Sequence, residues 1–259
     1  MTDERDIINL PERDAPRERV AAALKSSGDP RGEFIAVQLE LARAYRTQGS
    51  RSAWMAASAR SEQLLLQHGK AWAPPFVGHV RGYHFRRGFV ERVTLSPREF
   101  VARASELIAT APILHLDCVD GSSSIGEFCE SAVAARLRSL DLRNNKIGDA
   151  GAKGIAASPH LSHLTWLDLY GNQITAAGLD ALASSANLTS LRWLNLSGNR
   201  IEDPSDTPGG VDGSFIDSFD SPPLGRAIEA KYGPKPWLHW NPRDMLFWPP
   251  SPLCFISGE

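Results

Sequence analysis

The sequence lacks the features that mark secreted, disulfide-bonded and membrane-spanning proteins. Its three cysteines, Cys118, Cys129 and Cys254, are odd in number and far apart, and no two of them form a CxxC pair. That spacing argues against a disulfide scaffold or a structural zinc site and favours a reducing compartment. No apolar run approaches the roughly 18 residues of a membrane span, and the charged start Met-Thr-Asp-Glu-Arg-Asp predicts no signal peptide. We therefore expect a cytoplasmic protein without a membrane partner.

The sequence also lacks an excess of positive or negative residues. The chain has 28 Lys and Arg against 30 Asp and Glu, a formal net charge of −2, which gives no electrostatic case for nucleic acid as a partner. The phosphate-binding and nucleophile motifs GxGxxG, GxxxxGK[ST] and GxSxG are absent, so the sequence predicts no cofactor. An apolar fraction of 42% in 259 residues describes an ordinary globular protein of one large or two small domains.

What the sequence does have is a repeat between residues 137 and 201. The segment Leu140–Ile147 (LDLRNNKI) returns as Leu167–Ile174 (LDLYGNQI) and as Leu194–Ile201 (LNLSGNRI), each time after 27 residues. With the leucine three positions earlier, each unit reads LxxLxLxxNxI. Such a period and spacing are typical of leucine-containing solenoid repeats.

The spacing of the repeat predicts its local structure. Two leucines separated by one residue point to the same face of a short strand, so the residue between them points to the opposite face. The asparagine that follows, at Asn145, Asn172 and Asn199, carries donors and acceptors that can satisfy the backbone of a buried bend. Asp149 and Thr175 then each begin a segment with helical spacing as its N-cap residue. Stacked units of one strand and one helix form a solenoid.

The three units resemble leucine-rich repeats of the ribonuclease-inhibitor-like subclass. The resemblance implies an α/β solenoid with parallel strands on the concave side and helices on the convex side. It also implies the usual role of that family, which is to bind another macromolecule on the concave strand surface.

The N-terminal part is a different kind of sequence. Helical spacing and breaker residues predict helices over 15–24, 33–45 and 52–68. The segment Gly28–Ile35 (GDPRGEFI) resembles the helical companion domain that precedes repeat arrays in large bacterial genomes, and Gly78–Ser96 resembles the sequence that follows that domain. We therefore expect a bacterial protein whose residues 1–75 form a helical N-terminal cap.

The repeat degenerates on both sides of the regular units. Residues 93–95 and 114–116 predict two irregular strands with a helix over 100–109 between them, so we expect a repeat domain over 76–201. Residues 202–223 are rich in Asp, Ser, Pro and Gly and predict a loop. The aromatic tail with Trp240, Phe247 and Trp248 would then close the solenoid as part of a C-terminal cap over 202–259.

Alternation along the strands predicts the side chains of the concave surface. Trp166 and Trp193 are one period apart and should lie side by side, as an aromatic anchor or as a shield that the tail covers. The predicted partner-binding residues, all expected to face solvent, are His115, Asp117, Asp141, Arg143, Trp166, Asp168, Tyr170, Trp193 and Asn195.

Three functions are compatible with this surface. The first is a non-catalytic, monomeric module that binds a protein partner. The second is a regulator of an enzyme, such as an inhibitor or a GTPase-activating protein, with Arg86, Arg87 or Arg143 as a candidate arginine finger. The third is a hydrolase that uses His115 and the nearby aspartates, although no nucleophile motif accompanies them.

Overall fold

The structure, a computed structural model, describes residues 2–47, 50–201, 222–239 and 255–257. The fold is of the mixed α/β class and divides into two compact units. The first unit consists of residues 1–94, 105–114 and 242–259, and the second of residues 95–104 and 115–241.

The chain begins with four helices, and its first strand starts at residue 82. The helices are α1 (Thr2–Asn9), α2 (Ala15–Ser26), α3 (Pro30–Thr47), α4 (Arg51–His68), α5 (Pro97–Thr110), α6 (Ile125–Glu130), α7 (Gly148–Ala157), α8 (Ala176–Ser184) and α9 (Pro222–Tyr232). The strands are β1 (Gly82–Arg86), β2 (Phe89–Leu95), β3 (His115–Cys118), β4 (Ser139–Asp141), β5 (Trp166–Asp168), β6 (Trp193–Asn195) and β7 (Phe255–Ser257). Short 3-10 segments cover Gly121–Ser123, Ala132–Arg136, Pro159–Leu161 and Pro236–His239.

In the first unit, α2, α3 and α4 confirm the three helices that the sequence predicts, while α1 is an addition. α2 ends because Gly28 adopts a φ of +77°, and the amide of Asp29 then reaches back to the carbonyl oxygen of Leu24 at 2.9 Å. Pro30 starts α3 two residues later. Ile7, Val20, Ile35, Leu39 and Phe89, among others, form the apolar core of this unit.

The strands of the first unit are antiparallel. β2 contains the strand that the sequence predicts over 93–95 and pairs with β1 in an antiparallel hairpin, and β1 also pairs antiparallel with β7. Arg87 and Gly88 form the hairpin turn, with φ values of +49° and +85°. Gly88 lies so close to α3 that an added Cβ would come within 2.4 Å of the Ile35 side chain. β1 and β7 lie outside residues 89–201, so these antiparallel pairings do not bear on the parallel arrangement predicted for that range.

A buried ion cluster joins α2 to the hairpin within the first unit. Glu91 of β2 accepts hydrogen bonds from Arg17 Nη2 at 2.7 Å and from Arg87 Nε at 3.1 Å. Arg87 Nη1 also contacts Asp14 Oδ1 at 3.2 Å. The side chains of Arg17 and Glu91 are fully buried. Arg87 is consequently not available as an arginine finger, because its guanidinium is occupied inside the unit.

In the second unit, β3, β4, β5 and β6 are parallel and pair in that order. The leucines of the repeat, Leu140, Leu167 and Leu194 on the strands and Leu142, Leu169 and Leu196 just after them, are buried. Successive helices pack on one another, α6 on α7 and α7 on α8. Each regular repeat therefore buries its leucines together with those of the neighbouring repeats.

The repeated asparagines form a ladder at the bends, as the sequence predicts. Asn172 Oδ1 accepts the amides of Asn145 and Ile147, at 3.1 and 3.3 Å, and Asn199 Oδ1 accepts those of Asn172 and Ile174. Asn172 Nδ2 donates to the carbonyl oxygen of Leu142 at 2.8 Å. These bonds satisfy the backbone of buried bends and hold neighbouring units in register.

The asparagine ladder has a counterpart at the helix ends. Asp149 lies in the first turn of α7 rather than at its N-cap, which corrects the prediction for that residue. Its Oδ1 accepts the amides of Thr175 and Gly178, at 2.8 and 3.1 Å, and thereby caps the next helix, α8. Thr175 is the N-cap of α8, as the sequence predicts.

The described C-terminal residues of the second unit lie against its last repeat. α9 packs on α8, and the segment Pro236–His239 contacts β6. Ile228 and Trp237 are buried, and Lys231 Nζ lies 2.9 Å from Asp180 Oδ2. Pro222 and Pro223, predicted as loop, belong to α9. Residues 202–221 and the tail residues Trp240, Phe247, Trp248 and Cys254 lie outside the described residues.

Candidate partner-binding surface

Two rows of side chains run across the parallel strands of the second unit. The strands pair in register, so residues at the same position of each repeat lie side by side on adjacent strands. The first, which we name the aromatic row, consists of His115, Ser139, Trp166 and Trp193. The second, which we name the acidic row, consists of Asp117, Asp141, Asp168 and Asn195. Seven of the nine predicted partner-binding residues belong to these rows, and Arg143 and Tyr170 follow their strands.

Trp166 and Trp193 are stacked face to face, with ring centroids 4.4 Å apart and an interplanar angle of 4°. This confirms that the two indoles lie side by side. Their exposure differs, because Trp166 belongs to the inner strand β5 and is 9% exposed, whereas Trp193 belongs to the last parallel strand and is half-buried. Of the two stacked indoles, Trp193 is therefore the one that presents surface to solvent.

His115 is buried at the other end of the aromatic row. Its Nδ1 lies 2.8 Å from Ser139 Oγ on the adjacent strand. Among residues 2–47, 50–201, 222–239 and 255–257, no group of three or more His, Cys, Asp or Glu side chains is placed to hold a metal ion. His115 and Ser139 thus form a buried polar contact of the sheet, and this geometry gives no specific support to the hydrolase hypothesis.

Arg143 covers the acidic row. Its Nη2 lies 2.7 Å from Asp141 Oδ2, and its Nε contacts both oxygens of the same carboxylate at 3.0 and 3.1 Å. The Nε atom is also 3.7 Å from Asp168 Oδ2. Both carboxylates are buried while Arg143 is exposed, so the two acids fix the orientation of one surface guanidinium.

The surroundings of Asp168 favour the protonated form of its carboxyl group. Burial, together with the charge of Asp141, raises its pKa to about 6 against the opposing effects of Tyr170 N–H, Arg143 and Asn195. The amide of Tyr170 and Nδ2 of Asn195 both donate to Asp168 Oδ1 at 3.0 Å. Asp168 therefore changes charge in a pH range where an ordinary aspartate is fully ionised.

Tyr170 is the exposed aromatic residue of this surface, with 42% of its area accessible. Its ring lies over Gly198, where an added Cβ would come within 3.1 Å of the ring. Gly198 adopts a φ of +69°, so glycine is favoured there for its conformation as well as for its size. The ring therefore packs closely on Gly198 while part of it stays open to solvent.

Burial corrects the expectation that all nine residues face solvent. His115, Asp141, Trp166 and Asp168 are buried, because the inner strands of the sheet are covered by the side chains of their neighbours. Asp117, Trp193 and Asn195 are half-buried, and Arg143 and Tyr170 are exposed.

The prediction of candidate residues omitted an exposed row at the bends. Lys146, Gln173 and Arg200 each follow a ladder asparagine and are exposed. Their spacing of 27 residues is the same signal that identified the indoles. Strand alternation predicts positions as far as Arg143 and Tyr170 and does not extend to the bend residues three positions further on.

Comparison with known proteins identifies the class of the repeat. Residues 135–201, which contain the three regular units, match the family model described as "Leucine rich repeat". No curated protein and no solved structure matches the chain. None of the described helices is long and apolar enough to cross a membrane.

Proposed function

We propose that this protein is a non-catalytic protein–protein interaction module built on a leucine-rich-repeat solenoid. In this proposal the repeats are of the ribonuclease-inhibitor-like subclass and span residues 76–201, between a helical companion cap at residues 1–75 and a C-terminal cap at residues 202–259. The protein is bacterial, acts as a monomer in the cytoplasm and takes a protein partner, with neither a cofactor nor nucleic acid.

The observation that supports the proposal best is the packing of two exposed side chains, Tyr170 and Arg143, on well-defined neighbours. Two buried carboxylates hold the guanidinium, and the backbone of Gly198 supports the ring. Tyrosine, tryptophan and arginine dominate the binding energy of protein interfaces. Side chains that are already ordered lose little entropy on binding, which makes such a pair a suitable anchor.

The burial of the surface divides the nine residues into two groups. Arg143, Tyr170, Trp193, Asn195 and Asp117 are the proposed contact residues, because each presents surface to solvent. The remaining four, His115, Asp141, Trp166 and Asp168, form the layer beneath them. A partner would touch the C-terminal edge of the strands more than the centre of the sheet.

Regulation of an enzyme is the alternative function, and it would use the same surface. Arg143 is exposed on an ordered loop and Arg86 is half-buried, so Arg143 is the more favourable candidate for an arginine finger. GTP hydrolysis by a purified partner, measured with the native protein and with Arg143→Lys, separates this alternative from simple binding.

The proposal is tested by affinity purification followed by measurement with the identified partner. Tyr170→Ala and Trp193→Ala should each reduce affinity by about thirtyfold, the loss typical of a central anchor. The matched control is Leu66→Ala on α4, because Leu66 is a large apolar side chain that is 83% exposed outside this surface. A partner that binds both variants as tightly as the native protein would contradict the proposed surface.

A further inference from the structure

The bends of the three regular units present basic and neutral side chains only. Their loops read Arg143-Asn-Asn-Lys146, Tyr170-Gly-Asn-Gln173 and Ser197-Gly-Asn-Arg200, without an acidic residue. Arg143, Lys146, Tyr170, Gln173 and Arg200 are exposed, and we name this set the basic rim. Lys146 and Arg200 thus add positive charge to this edge, beside an Arg143 that is paired with Asp141, in a protein whose formal net charge is −2.

The backbone beneath the basic rim is fixed by hydrogen bonds between units. The amide of Asn144 donates to the carbonyl oxygen of Tyr170 at 2.8 Å, and that of Gly171 donates to Ser197 at 3.0 Å. The asparagine ladder fixes the same loops from the buried side. Adjacent loops therefore keep the spacing of adjacent strands, about 5 Å, which places the backbones of Lys146 and Arg200 about 10 Å apart.

We propose that the basic rim receives an extended acidic segment of the protein partner, with carboxylates on Lys146 and Arg200 and an apolar side chain on Tyr170. This inference rests on the proposed function and adds the chemistry of the partner. A separation of about 10 Å lies between the spans of two and four residues of extended chain, about 7 and about 13 Å. Because side chains alternate between the two faces of an extended chain, the segment carries its two acidic residues two or four positions apart. Arg143 contributes less net charge, because Asp141 and Asp168 neutralise it.

The charges at the end of the basic rim favour a short acidic peptide over nucleic acid. The loop after β3 neighbours the loop of Arg143, since the amide of Gly121 donates to Asn145 Oδ1 at 2.6 Å. That loop carries Asp120, which is exposed, and follows the half-buried Asp117. A long polyanion that continued across the strands would meet these carboxylates, whereas a short acidic segment ends before them.

The test uses three fluorescein-labelled probes of equal length. One is a peptide with an aromatic residue between two glutamates, the second has lysines in place of the glutamates, and the third is a single-stranded deoxythymidine oligonucleotide. Fluorescence anisotropy with the full chain should show the acidic peptide binding at least about tenfold more tightly than either other probe. Raising the salt concentration from about 50 mM to about 200 mM should weaken that binding.

Charge reversal locates the binding. The double variant Lys146→Glu/Arg200→Glu should lose at least about tenfold in affinity for the acidic peptide. The matched control is Lys153→Glu/Arg192→Glu, which makes the same charge change at two exposed residues outside the basic rim. Circular dichroism and thermal melting of both variants establish that they keep the fold.

Several outcomes would overturn the inference. Equal binding of the oligonucleotide would show a general attraction of anions, and an equal loss in the control variant would show that only total charge matters. Binding that appears only after the acidic residues of 202–221 are neutralised would assign the rim to this chain's own sequence. A partner that depends on Tyr170 and Trp193 but is indifferent to Lys146→Glu/Arg200→Glu would leave the proposed function intact and reject an acidic partner segment.

Discussion

The asparagine at each bend is the residue that ties one repeat to the next. Asn172 is fully buried, accepts two amides and donates to the carbonyl oxygens of Leu142 and Tyr170. Asn172→Ala leaves these buried backbone groups without partners. We expect a loss of about 1–3 kcal/mol in the free energy of unfolding, measured by urea denaturation. Thr189→Ala, at an exposed site of the same unit, should change it by less than about 0.5 kcal/mol.

The carboxyl group of Asp168 makes stability depend on pH in an unusual direction. Its folded-state pKa, about 6, lies above the usual value of 3.8, so the folded state binds the proton more tightly than the unfolded state. The resulting stabilisation is complete below pH 3.8 and is lost as pH rises through about 6. Relative to Asp168→Asn, the native protein should therefore lose stability between these values, on the order of 2 kcal/mol. A pH-independent difference between the two unfolding curves would refute this.

Trp193 and Tyr170 show where strand alternation stops being informative. Alternation places Trp166 and Trp193 on one face, and the structure confirms their stacking. It does not predict that Trp166 is buried while Trp193 presents surface, because burial depends on neighbours across the sheet that are distant in sequence. The exposure of Tyr170 likewise depends on a glycine that lies in the next unit.

At the scale of single elements, local spacing predicted the helices better than the hairpin. The apolar positions and breaker residues of α2, α3 and α4 are local signals, and the structure confirms all three helices. β1 was missed because its residues are all buried or half-buried, so its sequence shows no clean alternation. Its pairing with β7 joins residues far apart in the chain, which no local pattern encodes.

The buried carboxylate of Glu91 fixes the β1–β2 hairpin to α2. Glu91→Gln would leave Arg17 and Arg87 buried with less compensating charge, and we expect a loss of about 3–5 kcal/mol in unfolding free energy. Glu33→Gln is the matched control, because Glu33 pairs with Arg60 on the surface of the same unit. Its effect on the urea midpoint should be much smaller. Similar midpoints for both variants would show that the buried cluster does not hold the hairpin.

At the scale of the whole molecule, the period of 27 residues was sufficient to place the three regular units. The period specifies which residues become equivalent, and hence the register of β4, β5 and β6. The structure confirms the asparagine ladder that follows from it. The sequence could not predict the structure on either side of the three regular repeats, because the contacts there are made by unrepeated residues such as Glu91 and Trp237.

The end of the repeat stack should depend on the C-terminal segment. Residues 222–239 bury Ile228 and Trp237 and pack on α8 and β6, so removing residues 224–259 should expose apolar surface of the last repeat. We expect this truncated protein to aggregate, measured by light scattering during purification. A second truncation that ends at Asn241 keeps α9 and Pro236–His239 while removing β7, and it should remain soluble if the cap acts through α9 and Trp237. A soluble, monomeric protein lacking residues 224–259 and melting at the native temperature would show that this segment is not a cap.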